Sequence, residues 1–389
     1  MKSLLLHYVT PALWAAVAVR YALLLKELPA RAKDWNFDLY YVSGLASLNG
    51  IDPARTDIAP LGRSLGCHFP QQYFSNATPF FRFIFVGLAH LNLVLAFWLW
   101  TAASAMALIG TIVIVLKVAH PGRELGALVV AVLLLYPPTI ECLWYSEAEM
   151  LVLFLLAGAL WCMHRDAEVA AGIALGLAAL LKAYPALLGG YLIATRRRRA
   201  LASAAITGIV GLAVAVGLLG AASLTGFLFG AHETFGWSFL NLSLSGFLTR
   251  TYWRLFTAYG HQGPRMVTIL AAQIGVLTLT YSATRRRLAE DTGCYALWVV
   301  TALMDCPIVW LAYLVLLAIP IAALVARRSS TSKRSLRAAL ASLVLVFVMA
   351  ALEHRFLDSR LWHVLSEGQF LALACAYASA YWLVTDSPE

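Results

Sequence analysis

The sequence predicts an all-α fold: a polytopic membrane protein of about twelve transmembrane helices, with amphipathic helices in an outer loop. Three observations predict it. Of the 389 residues, 61% are hydrophobic and only 13% are charged, far from the composition of soluble domains. The apolar residues fall in runs long enough to cross hydrocarbon as helices. The basic residues sit in short gaps between those runs, the pattern of cytoplasmic loops.

Taken in order, the apolar runs place spans at 5–25, 92–116, 124–137, 148–163, 168–181, 185–195, 200–221, 265–284, 291–303, 307–326, 336–352 and 364–384. The first is kept as a span because no small-residue cleavage site followed by polar sequence succeeds it. With the N-terminus inside, the basic loops Lys117–Arg123, His164-Arg165, Arg196–Arg199, Arg285–Arg287 and 327–337 all fall in the cytoplasm. Loops 26–78, 138–147, 226–262 and 353–363 then lie outside, and both termini are cytoplasmic. The formal charge of +9 thus reports topology, and no basic aromatic platform for nucleic acid is present. The six cysteines form no C-x-x-C pair, so neither a zinc site nor a disulfide framework follows; a bridge between Cys67 and Cys142 is left open. The histidines lack metal-ligand spacing, and no internal repeat marks a transporter. The expectation is one membrane domain over residues 1–389.

The outer loop 26–78 carries the chemistry-bearing residues. Phe37 to Asn49 is expected to be helical, stopped by Asn49-Gly50 and Pro53. Asp38, Tyr41, Leu45 and Leu48 share one face of it. A second helix, interfacial or re-entrant, opens at Pro79 and runs within Thr78–Leu91.

Asp38 sits in the first turn of the expected helix. It is either an acid placed there by the helix dipole or a base that takes a proton from a hydroxyl. Asp34, four residues earlier, repels it on a helix, which favours a shared catalytic task with Asp34 as helper. Lys182, between two apolar runs, either snorkels to the interface or holds a lipid phosphate on the outer side. Arg250 and Arg254 are outward cations with the same two alternatives. Glu147 clusters with Glu141 and Glu149 where an outer loop re-enters the membrane. It either pairs with Lys182 or an arginine, or binds sugar hydroxyls. Asp305 occupies another outer hinge as cap or site. His68 and His232 are lone loop histidines.

In motif order these residues resemble glycosyltransferase family 87, membrane enzymes of GT-C type that include polyprenol-phosphate-mannose-dependent α-mannosyltransferases. The resemblance rests on Asp38-Leu39-Tyr40-Tyr41 leading to Gly50-Ile51-Asp52-Pro53. It continues through Ala171-Gly172, Gly176 and Lys182-Ala183-Tyr184-Pro185 before an arginine run, then Asn241-Leu242-Ser243, then Pro307 and Trp310. It departs at Ser146-Glu147-Ala148-Glu149, where the family tends to have Gly-Gln-x-Asn. It departs again at Leu311-Ala312, where a polar residue and a histidine usually follow.

The resemblance implies Asp38 as catalytic base and inversion by one direct displacement. It also implies a polyprenyl-phosphate-sugar donor used outside the cytoplasm, with no metal or cofactor. The expected partners are membrane lipid, that donor, and a lipid or glycan acceptor. Lys182, Arg250 and Arg254 are expected at the donor phosphate, and Tyr41, Glu147, Asn241 and Asp305 at sugar or acceptor. The expected location is the inner (plasma) membrane. The rival class is a transporter or lipid flippase, for which midplane charges and inverted repeats are the signature.

Overall fold

The structure is a computed structural model describing residues 2–33, 36–69, 71–229, 241–256, 263–287, 291–329, 331–356 and 362–386. Among them every regular element is helical. In chain order these are α1 (Lys2–Arg31), α2 (Phe37–Leu48), α3 (Ala59–Ser64), α4 (Pro79–Leu88), α5 (Leu93–Ala119) and α6 (Arg123–Leu135). Next come α7 (Pro137–Trp144), α8 (Glu149–Met163), α9 (Glu168–Leu181), α10 (Gly189–Ala194), α11 (Arg198–Leu219) and α12 (Ala222–Phe229). The last are α13 (Leu244–Phe256), α14 (Gly263–Arg286), α15 (Asp291–Asp305), α16 (Ala318–Ala326), α17 (Lys333–Phe356) and α18 (Trp362–Thr385). Tyr184–Leu188 and Leu311–Leu317 are 3-10 turns.

Each of the twelve apolar runs coincides with helix. Crossing the bilayer is a stricter test. Among the described residues five helices are long and apolar enough: Val9–Arg31, Leu93–Ala119, Arg198–Leu219, Met266–Arg286 and Lys333–Leu352. A sixth arises if α6 and α7 form one broken span, bent by 49° where Pro137 and Pro138 interrupt the backbone ladder. The expected count of about twelve is therefore not reached by length and composition. The shortfall lies in short helices such as α8, whose 15 residues reach only about 22 Å against a hydrocarbon core of about 30 Å.

The chain forms two compact units. The first comprises residues 1–114, 122–183 and 202–232. Here α2 lies on α4 because Gly44 permits it: a Cβ at that position would stand 2.4 Å from the backbone carbonyl of Phe85. Aromatic rings then interlock. Phe37 meets Phe97 edge-on at 5.3 Å, Tyr40 meets Phe81 at 4.8 Å, and Phe85 meets Trp100 at 4.9 Å. Such pairs add about 0.5–1.5 kcal/mol each beyond burial. Small residues also let α9 approach α11, since a Cβ on Gly176 would stand 2.8 Å from Thr207, the close packing that replaces hydrophobic drive in lipid. On its other side α11 exposes Ile206, Ile209, Val210, Val214 and Leu218.

The segment 49–78 of this unit is stapled to its helices by an ion pair whose arginine is buried. Arg82 is 1% exposed; its Nη1 donates to Asp52 at 3.1 Å and its Nη2 to the Ser223 carbonyl. Arg55 donates to Thr225 at 2.6 Å. A Cβ on Gly226 would stand 2.7 Å from that of Ala54. The Gly50–Pro53 turn is thereby fixed to both α4 and α12.

The second unit comprises residues 115–121, 184–201 and 233–389. Its axis is α15, buried at every position from Gly293 to Asp305, as expected of a helix surrounded by protein. Trp298 donates to Thr284 at 3.0 Å, and its ring lies where a Cβ on Gly190 would be. Asp291 accepts from Tyr191 and pairs with Arg197.

Candidate active site

Asn36 turns the chain into α2. It takes φ +73°, a left-handed conformation that Asn tolerates better than most residues. Its side-chain amide donates to Glu147 Oε1 at 2.8 Å. One helical turn on, the Tyr40 hydroxyl donates to Glu147 Oε2 at 2.7 Å. Glu147 is aimed by its own neighbours: Ser146 has φ +55°, its carbonyl accepts from the Trp100 indole at 2.8 Å, and Glu147 N donates to Cys142 O at 2.9 Å.

Lys182 enters from the end of α9, where the backbone turns extended. Its Nζ lies 3.2 Å from Glu149 Oε1, 3.8 Å from Glu147 Oε2, and 5.9 Å from the Tyr40 ring centroid. Glu147 is 4% exposed and Glu149 not at all. Carboxylates so desolvated need a partner, and the lysine between them supplies it. The alternative that paired Glu147 with Lys182 is the one observed. Thr78 holds the end of α9, from which the lysine emerges, in position. It caps α4 by accepting from Phe81 N at 3.1 Å and donates to Leu180 O at 2.6 Å.

Asp38 is fully buried, and its Oδ1 accepts from Leu39 N at 2.8 Å. Two groups from the segment between α3 and α4 feel its charge. Burial, and then Asp38, pushes the Cys67 thiol up to about 11, while Lys33 opposes. Burial raises the Tyr73 phenol most; Lys182 opposes, and Asp38 and Glu147 add to the rise. Tyr73 thus stands within electrostatic reach of Asp38, Glu147 and Lys182 together. Its loop is pinned by Asp57, whose Oδ1 accepts from Tyr73 N at 2.9 Å and Ala59 N at 3.0 Å.

Other candidates have different surroundings. Tyr41 donates its hydroxyl to Leu91 O at 2.7 Å. On α2, Asp38 and Tyr41 are buried and Leu48 is 39% exposed, and Val42, Gly44 and Ala46 are buried as well. In the second unit Asn241 is a backbone clamp: its Nδ2 donates to Pro307 O at 2.8 Å and its Oδ1 accepts from Ser243 N and Val309 N. Arg250 donates to Asn241 O at 2.6 Å and pairs with Glu367 at 3.5 Å. Asp305 is buried at the end of α15, with neither carboxylate oxygen hydrogen-bonded among the described residues. Ala312 is buried in its 3-10 turn. Asp34, His232 and the side chain of Arg254 lie outside the described residues. All six cysteines are free, so the Cys67–Cys142 bridge is not made. Among the described residues no three His, Cys, Asp or Glu side chains gather as a metal site.

Sequence reasoning missed Asn36, Tyr73 and Arg82. Arg82 carried a signal: it is the one charge in Pro79–Leu88, and an arginine within such a stretch requires a buried partner. Tyr73 carried none, because its position depends on loop closure through Asp57.

A many-helix membrane protein with a buried acid and a carboxylate-paired lysine has the makings of an integral membrane enzyme. The chain matches glycosyltransferase family 87 over residues 78–307, more than half its length, and belongs to that family. It is a membrane glycosyltransferase, an enzyme that transfers sugars. The matched range contains Glu147, Glu149, Lys182, Arg250 and Asp305, and begins after Asp38. No protein of curated function and no solved structure matches it.

Proposed function

We propose that this enzyme moves a sugar, mannose first among candidates, from a polyprenyl-phosphate donor to a hydroxyl of a lipid or glycan acceptor. The reaction takes place on the extracytoplasmic face of the inner membrane, within one membrane domain over residues 1–389. Both termini are cytoplasmic, and the shorter apolar helices complete about twelve crossings. No metal or cofactor takes part. The observation that carries this reading is the burial of Asp38 on α2, with Tyr73 bringing its charge into the same electrostatic neighbourhood as Lys182.

Asp38 takes the proton of the acceptor hydroxyl as the new glycosidic bond forms, a task worth about 10²–10⁴ in rate. Inversion follows because one displacement needs only one base, unlike the paired carboxylates of a retaining hydrolase. Lys182 holds the phosphate as its charge grows. Asp34 assists Asp38. Tyr41 and Glu147 contact the sugar or acceptor.

The test is transfer of labelled sugar from polyprenyl-phosphate-mannose by purified enzyme in proteoliposomes. Asp38→Asn is expected to abolish transfer while the protein still inserts and folds. Undiminished transfer by that variant removes Asp38 from the role. Movement of solute without a new covalent product supports the transporter alternative.

A further inference from the structure

Glu147 and Glu149 flank a single ammonium, and their surroundings differ. Glu147 receives the Asn36 amide, the Tyr40 hydroxyl and the Lys182 charge. Glu149 has no solvent exposure; Lys182 Nζ lies 3.2 Å from its Oε1, and its carboxyl is close enough to that of Glu147 to share a hydrogen bond, which requires a proton on one of the two. Were both acids ionised, two negative charges would face one positive charge in a buried space. Such an excess is costly in itself, and it would repel any phosphate approaching Lys182. One proton on Glu149 leaves the cluster neutral and receptive to an anion. The titratable and charged groups around Glu149 are Glu147 and Lys182, with Tyr40 on α2, Glu141 and Cys142 on α7, and Tyr73 and Asp38 across the lysine.

We propose that Glu149 carries a proton in the resting enzyme and gives it to the departing polyprenyl phosphate, as the general acid opposite Asp38. The proposal rests on the reading of Lys182 as the phosphate holder. In the step, the acceptor oxygen bonds to the anomeric carbon and its proton passes to Asp38. The bond from that carbon to the donor's phosphate oxygen breaks, and its electron pair remains on the phosphate. A phosphate oxygen then takes the Glu149 proton, so the leaving group departs as a monoanion and not a dianion in a desolvated site. Asp38 ends protonated and Glu149 ionised; loss of one proton to solvent and uptake of another reset them.

Two measurements test this. With polyprenyl-phosphate-mannose as donor, Glu149→Gln is expected to lower kcat by about 10²-fold with donor KM within about threefold, and to remove the alkaline limb of the kcat–pH profile. With an aryl mannosyl phosphodiester, whose departing phosphate is a weaker base, the same variant is expected to lose less than about tenfold. A wild-type kcat and pH profile in Glu149→Gln overturns the proposal, as does an equal loss with both donors. Independently of turnover, infrared spectra of the wild type in nanodiscs at pH 7 are expected to contain a protonated-carboxyl stretch that is missing from Glu149→Gln. Identical spectra overturn the proposal. If Lys182→Ala raises donor KM and Asp38→Asn is inactive while Glu149→Gln is normal, only the acid assignment falls. If Lys182→Ala leaves KM unchanged and Asp38→Asn stays active, the underlying reading falls as well.

Discussion

Removing one member of the Arg82–Asp52 pair is expected to destabilise the first unit far more than removing both. Arg82 is 1% exposed and Asp52 21%, with Nη1 and Oδ1 3.1 Å apart. Breaking a buried pair by deleting one partner typically costs about 3–5 kcal/mol, because the other charge is stranded. Arg82→Met belongs at the low end of that range, since Arg55 stands 3.9 Å from Asp52 Oδ2 and relieves part of the stranded charge. Asp52→Asn belongs at the high end, since it leaves a buried guanidinium with the Ser223 carbonyl and one neutral amide. The double variant removes both charges and forfeits only hydrogen bonds, about 1 kcal/mol each. With about 3 and 5 kcal/mol lost in the single variants and about 2 in the double variant, the cycle is expected to give a coupling of about 6 kcal/mol. Unfolding in mixed SDS micelles, followed by tryptophan fluorescence, reads the four proteins side by side. A double variant whose loss equals the two single losses added together would refute the reasoning and reduce the pair to a surface contact.

Three further outcomes are expected. The Cys67 thiol, pushed up to about 11, is about 0.1% thiolate at pH 8. Iodoacetamide is therefore expected to label it slowly, about tenfold faster per pH unit up to that value, with Asp38→Asn labelled faster than wild type at each pH; equal rates would separate the two side chains. Gly44→Ala brings a Cβ to 2.4 Å from the Phe85 backbone, overpacking worth at least about 1–3 kcal/mol, readable as a lower unfolding midpoint. The Asp57 carboxyl is held below its usual range by the Tyr73 and Ala59 N–H groups. Its stabilisation of the loop is complete above the unfolded carboxylate pKa and is lost as pH falls through the lower folded value. Limited proteolysis at residues 55–75 is expected to speed up over that acid window, and in Asp57→Ala to be fast at every pH.

The helices were legible because their signals are local. Hydrophobic run length gave each segment, and Asn49-Gly50 gave the end of α2, where Gly50 takes φ +75° as the C-terminal turn of a helix requires. The packing face of α2 was less legible: spacing grouped Asp38, Tyr41, Leu45 and Leu48 on one face, but gave no sign that Gly44 would be the residue set against Phe85 of α4. At the site, Asp38, Glu147, Glu149 and Lys182 stood out because charge is rare in this chain. Their pairing was visible only as one of two alternatives, since it depends on Ser146 turning through positive φ and on α9 ending at Leu181. Asn36 and Tyr73 were hidden, being ordinary polar residues: Asn36 acts on Glu147, 111 positions away, and Tyr73 is placed by loop closure through Asp57.

The burial of α15 on all sides bears on how the protein is made. Chain segments leave the ribosome and meet lipid one after another, yet this segment ends on Asp305, and its surface from Gly293 to Asp305 is covered by protein in the finished molecule. It cannot settle by itself in the bilayer; the helices on both sides of it must be at hand to receive it. Lesions along α15 should therefore appear first as chains cleared by membrane quality control, before any change in turnover can be seen.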